Sequence, residues 1–142
     1  MRRFTSDSET ATEDVGEQLG RELAPDGIVL LEGDLGSGKT VLVRGLGRAL
    51  GVERREIQSP TYALIHEHEG ERGRLVHVDL YRLDPEDADS LGLDELLAGP
   101  GVKALEWAER YPRRLAGLRV RLRAAGSGRR EIFVDATNNP KE

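Results

Sequence analysis

Gly33-Asp34-Leu35-Gly36-Ser37-Gly38-Lys39-Thr40 fits G-x-x-x-x-G-K-[ST] at every specified position, the spacing of a phosphate-binding loop. Its chemistry follows from the residue types. Glycines at 33, 36 and 38 reach backbone angles closed to other residues and put no side chain between backbone and ligand, so successive N–H groups can turn into one anion-sized hollow. The expected phosphate donors are the amides of Gly36, Ser37, Gly38, Lys39, Thr40 and Val41, aided by the positive end of the helix that starts there. Lys39 is placed to neutralise the β- and γ-phosphates of a nucleotide, and the Thr40 hydroxyl to hold Mg²⁺. Lysine otherwise occurs only at 103 and 141 among 21 basic residues, so a chain that prefers arginine keeps a compact ammonium at the motif.

Something must complete a Mg²⁺ shell beside Thr40. In open α/β sheets ligands bind at the carboxyl ends of strands, which makes strand-terminal acids candidates. Two fit: Asp79, after Leu75-Val76-His77-Val78, and Glu106, after Val102-Lys103-Ala104-Leu105. Either alone reads as a surface or capping group; beside a phosphate loop each becomes a candidate for the metal or for positioning an attacking water. His66, His68 and His77 fall at strand positions, but in a chain without cysteine two exposed strand histidines are the expected reading and no zinc site is expected. Trp107, the single tryptophan, reads as a core aromatic beside a strand end.

The elements that must hold these groups can be traced along the chain. Residues 1–8 carry no periodic pattern and read as a loose arm or an edge strand. Thr10 with Glu13 resembles a capping box, and Val15, Leu19 and Leu23 then share one helical face until Pro25-Asp26-Gly27. An apolar strand, Ile28 to Leu31, leads into the loop, and Leu42, Leu46, Ala49 and Leu50 give the following helix its apolar face before Gly51 stops it. A strand from Tyr62 to Glu69, a turn at Gly70-Glu71-Arg72-Gly73 and a second strand to Asp79 must pair antiparallel. Short helices are expected at Asp84-Pro85-Glu86-Asp87 and at residues 92–97, then the strand ending at Glu106. Leu118, Val120, Leu122 and Ala124 alternate with arginines, turn at Gly126-Ser127-Gly128 and return through Ile132, Phe133 and Val134, a hairpin with one apolar face. Residues 137–142 read as a frayed tail. The fold class is therefore α/β: one P-loop NTPase-type domain over 1–142, its sheet mixed by an antiparallel hairpin after the P-loop helix and by a C-terminal hairpin.

At 142 residues the chain can bury roughly two-thirds of its unfolded surface, enough for one core. No apolar run approaches the roughly 20 residues of a membrane span, so no membrane partner is expected and the location is expected to be cytoplasmic. A net charge of −5 argues against unaided nucleic-acid binding. Arg110, Arg113, Arg114, Arg119, Arg121, Arg123, Arg129 and Arg130 gather in the last third and read as a solvated face, with a patch for RNA or an acidic partner as the alternative.

Beyond the loop, Ser59-Pro60-Thr61-Tyr62, His77-Val78-Asp79-Leu80-Tyr81-Arg82-Leu83 and Glu106-Trp107 follow in an order and spacing that resembles the TsaE (YjeE) family, over about residues 5–136. The resemblance implies a P-loop ATPase of low activity alone, using ATP/ADP and Mg²⁺, that works with the TsaB and TsaD proteins in threonylcarbamoyladenosine modification of tRNA beside the anticodon, and touches tRNA only indirectly through that complex. It places the Mg²⁺ ligands on Thr40 and Glu106, the Walker-B-like aspartate on Asp79 and a switch-like segment on Ser59-Pro60-Thr61. It puts further nucleotide contacts near Glu9 and Arg130. The expected catalytic set is then Lys39, Asp79, Glu106 and Thr61, with Asp79 or a Thr61-bound water orienting the attacking water. A small-molecule kinase using the same cradle, and a nucleotide-gated binding module in which hydrolysis is incidental, are the competing readings.

Overall fold

The computed structural model describes residues 1–58, 65–88 and 90–137. Among the described residues seven strands form one sheet: β1 (Arg2–Ser6), β2 (Ile28–Glu32), β3 (Ile65–Gly70), β4 (Gly73–Asp79), β5 (Val102–Glu106), β6 (Gly117–Ala124) and β7 (Arg130–Thr137). Their order is β1-β7-β6-β2-β5-β4-β3. β2 pairs parallel with β5 and β6, and β4 parallel with β5. The β3–β4 and β6–β7 hairpins and the β1–β7 pair are antiparallel. The mixed sheet expected from the two hairpins is what forms, and the first residues supply an edge strand.

Two helices, α1 (Glu9–Glu22) and α2 (Lys39–Leu50), cover one face. The short α3 (Leu93–Ala98) belongs to the other. Alternation divides the central strands between two cores: Val29 and Leu31 of β2 join Leu19, Leu42 and Leu46 under the paired helices, whereas Leu30 joins Val76, Val78, Leu93 and Leu105 on the α3 side. Strands buried on both faces need continuous apolar runs, which is why β2, β4 and β5 lack the polar alternation of β6.

α1 and α2 meet backbone to backbone. A Cβ at Gly16 would lie 2.2 Å from the Leu42 carbonyl oxygen, and one at Gly45 would lie 2.0 Å from that of Glu13. This approach carries the N-terminus of α1 to the mouth of the phosphate loop. The start of α1 differs from the sequence expectation. Ser8, not Thr10, is the N-cap, its extended backbone leaving β1 directly and its side chain accepting from the Ala11 N–H at 3.0 Å. Glu13 turns inward instead, 6% exposed, and accepts from Arg54 Nε at 2.5 Å.

The element at Pro85–Asp87 is a single 3₁₀ turn rather than a short α-helix, closed by the Asp87 N–H on the Asp84 carbonyl at 2.8 Å. The expected start of the strand at Tyr62 lies outside the described residues, as do residues 138–142 of the expected tail, whose first residue, 137, instead ends β7. Among the described residues no helix is long and apolar enough to cross a membrane.

Candidate functional site

The loop between β2 and α2 bends through three left-handed or otherwise glycine-favouring positions, Gly33 (φ 153°), Gly36 (φ 77°) and Gly38 (φ 105°). At Gly36 a Cβ would meet open space, so backbone angle alone demands the glycine. At Gly38 a Cβ would also lie 2.7 Å from Arg130 Nε, so the arginine side chain would have to shift. Gly38 is also the N-cap of α2 and brings no side chain to it. The first N–H groups of the helix therefore face outward with nothing of the helix to bond, the condition for anion binding.

Lys39 opens α2 and is only 5% exposed. Its ammonium donates to the carbonyl oxygens of Gly33 and, at 2.9 Å, of Asp34, and sits 4.1 Å from the centre of the Trp107 ring. Burial lowers its pKa, against the opposing pull of Glu106, Glu109 and Asp79. Next in sequence, the Thr40 hydroxyl donates to Glu106, 2.8 Å from Oε2 and 3.1 Å from Oε1. Parallel pairing of β4 and β5 sets Asp79 level with Glu106, so both acids end at the same height beside α2. His77, two residues before Asp79 and therefore on the same face, has Nε2 2.5 Å from Glu106 Oε2.

Asp79 is 8% exposed and accepts the Tyr81 N–H at 2.9 Å. Burial pushes its carboxyl above the ordinary range; the Tyr81 amide works against this and the Glu106 charge adds to it. A raised native pKa means that the ionised side chain opposes folding at neutral pH, and that this cost fades as pH falls through the native value and the proton returns. Asp79→Asn is therefore expected to raise Tm by a few degrees at neutral pH and to lose that advantage in the acid range. A series of thermal melts across that interval checks both halves.

One cavity of about 400 Å³ collects these groups. Gly36, Gly38, Lys39, Thr40 and Val41 form its floor, Asp79 and Glu106 one wall, and Glu9 from α1 and Arg130 from β7 the opposite rim. Arg130 Nε donates to the Ser37 carbonyl at 2.9 Å, and the Ser37 side chain is buried behind the loop. Of the site residues expected from sequence, Thr61 lies outside the described residues.

The structure adds groups that sequence reading did not place. Trp107 is no plain core aromatic: it adopts a left-handed backbone, φ 60° and ψ 43°, and its ring meets both Lys39 and Tyr81, the Tyr81 ring at 4.8 Å between centres. Tyr81 and Arg82 line the same cavity. His77 is fully buried, and His66 and His68 are half-buried rather than exposed; for His77 the i, i+2 relation to Asp79 was the available signal. The arginines of the last third do not act together. Arg119 pairs with Glu32 at 2.6 Å, Arg113 with Asp94 at 2.8 Å and Arg123 with Glu131, as on a solvated face, whereas Arg130 belongs to the cavity.

A model of the family described as threonylcarbamoyl adenosine biosynthesis protein TsaE matches residues 6–132. The tRNA threonylcarbamoyladenosine biosynthesis protein TsaE of Nostoc sp. is 46% identical over 113 residues, 77% of this chain and 68% of its own length. The protein of the same name from Treponema pallidum is 39% identical over 135 residues, covering 93% of this chain and 98% of its own. The crystal structure of Bacillus subtilis YdiB superposes with a TM-score of 0.77 at 29% identity, over 97% of this chain and 86% of that one.

Proposed function

We propose, given that this chain belongs to the TsaE family of tRNA threonylcarbamoyladenosine biosynthesis proteins, that it binds ATP with Mg²⁺ in the P-loop cavity and hydrolyses it in the cytoplasm. It does so in association with TsaB and TsaD, and meets tRNA through that complex. The observation that carries the reading is the convergence of Lys39, Thr40, Asp79 and Glu106 on one cavity floored by the glycine loop.

The donor set fits the metal. Thr40 and Glu106 offer hard oxygens from two elements, a partial shell of the kind Mg²⁺ completes with waters and phosphate oxygens. Bound there, Mg²⁺ would offset charge on the β- and γ-phosphates. The remaining work falls to the chain. Loop amides from Gly36 to Val41 and the Lys39 ammonium hold the phosphates, Arg130 and Glu9 close the rim around the nucleotide, and Asp79 orients the attacking water. Because burial raises its pKa, Asp79 is a better proton acceptor than a free carboxylate.

The test is phosphate release from Mg-ATP by the purified chain, alone and with TsaB, TsaD and tRNA. Slow Mg²⁺-dependent release that rises with the partners is expected. Absence of release under both conditions, or transfer of the γ-phosphate to an acceptor, overturns the reading.

A further inference from the structure

We infer that His77 is a positioning residue that holds the Glu106 carboxylate in the orientation in which it takes Mg²⁺ together with Thr40. The inference rests on Glu106 being a Mg²⁺ ligand, as proposed above, and adds a group that does not itself reach the cavity.

His77 has no exposed surface. Nε2 lies 2.5 Å from Glu106 Oε2, while Nδ1 is buried with no hydrogen-bond partner among the described residues. A carboxylate only accepts, so Nε2 carries the hydrogen. Leaving a buried nitrogen unpaired costs stability that a leucine of similar size would avoid. The chain bears this cost where the other ring nitrogen meets Glu106.

Thr40 meets the carboxylate from the cavity side, where its hydroxyl donates to Oε2 and Oε1 of Glu106. His77 approaches Glu106 from within the sheet, from the neighbouring strand β4, and its bond needs no change when a cation arrives on the cavity side. Partners of this kind, which fix a metal ligand's orientation, typically change metal affinity 10–100-fold when removed.

The experiment titrates Mg²⁺ into protein with a fluorescent ADP analogue and repeats the nucleotide titration in EDTA, for wild type, His77→Leu and His77→Gln. Leucine removes the donor; the glutamine amide nitrogen reaches about as far as Nε2. His77→Leu should need about 10–100-fold more Mg²⁺ for half of the Mg²⁺-linked gain, bind nucleotide in EDTA like wild type, and be rescued by glutamine. Unchanged Mg²⁺ demand in His77→Leu, or equal impairment in both variants, overturns the role of His77 alone. A wild type without any Mg²⁺-linked gain overturns the metal reading of Glu106 and the inference with it. Should His77→Leu fail to fold, NMR of the wild-type ring decides. A hydrogen on Nε2 that stays hydrogen-bonded when Mg²⁺ joins the ADP-bound protein supports the role, and a hydrogen on Nδ1 alone, or loss of the Nε2 hydrogen bond with Mg²⁺, overturns it.

Discussion

Glu106→Gln should lower Mg²⁺-dependent ATP hydrolysis by about 10³ while the protein still folds and still binds nucleotide in EDTA. The substitution keeps side-chain length and one acceptor oxygen, so the Thr40 and His77 contacts lose charge rather than their partner. What disappears is the anionic ligand. A metal's transition-state stabilisation is worth several kcal/mol, and each ~1.4 kcal/mol is tenfold in rate, which gives the expected size. Initial rates of phosphate release at saturating nucleotide and Mg²⁺ measure it. A rate within tenfold of wild type would place the metal on other ligands.

Gly45→Ala should destabilise the fold by about 3 kcal/mol, the upper end of what overpacking costs, and lower Tm by about 10 °C. The added methyl would meet the Glu13 carbonyl oxygen at 2.0 Å and the Glu17 amide nitrogen at 2.8 Å. Both are backbone atoms of α1, which no rotamer change can clear, so the whole helix must move away from α2. A shift of α1 also withdraws Glu9 from the cavity rim and disturbs the ion pairs of Glu13 with Arg54 and Arg48. Nucleotide affinity should therefore fall as well. Thermal melts with a parallel binding titration read both effects. An unchanged Tm would mean that the two helices are not in backbone contact.

The parts of this site fixed by local chemistry could be read from sequence, because a glycine demanded by a positive φ at 36 or 38 leaves its mark at a known spacing. The same holds for β2 with its continuous apolar run and for the β6–β7 hairpin with its alternation. Asp79 and Glu106 could be nominated as strand-terminal acids, but not placed side by side. Their adjacency comes from β5 inserting between β2 and β4, a pairing of segments distant in sequence. The start of α1 was misplaced by two residues because Thr10 and Glu13 imitate a capping box, whereas Glu13 is taken by Arg54 and Arg48 across the α1–α2 contact. That Gly16 and Gly45 face each other's helix backbones emerges only once the helices are packed. Trp107 and His77 meet Lys39 and Glu106 in contacts that no local pattern encodes.

A crystal structure of this chain with Mg²⁺ and a non-hydrolysable ATP analogue bears most directly on the site. It should show the β- and γ-phosphates against the amides of Gly36 to Val41, with Lys39 released from the Gly33 and Asp34 carbonyls to meet them. The metal should lie about 2.0–2.1 Å from Thr40 Oγ1 and a Glu106 oxygen. A nucleotide bound outside this cavity, or a metal on other ligands while Thr40 still donates to Glu106, would contradict the account.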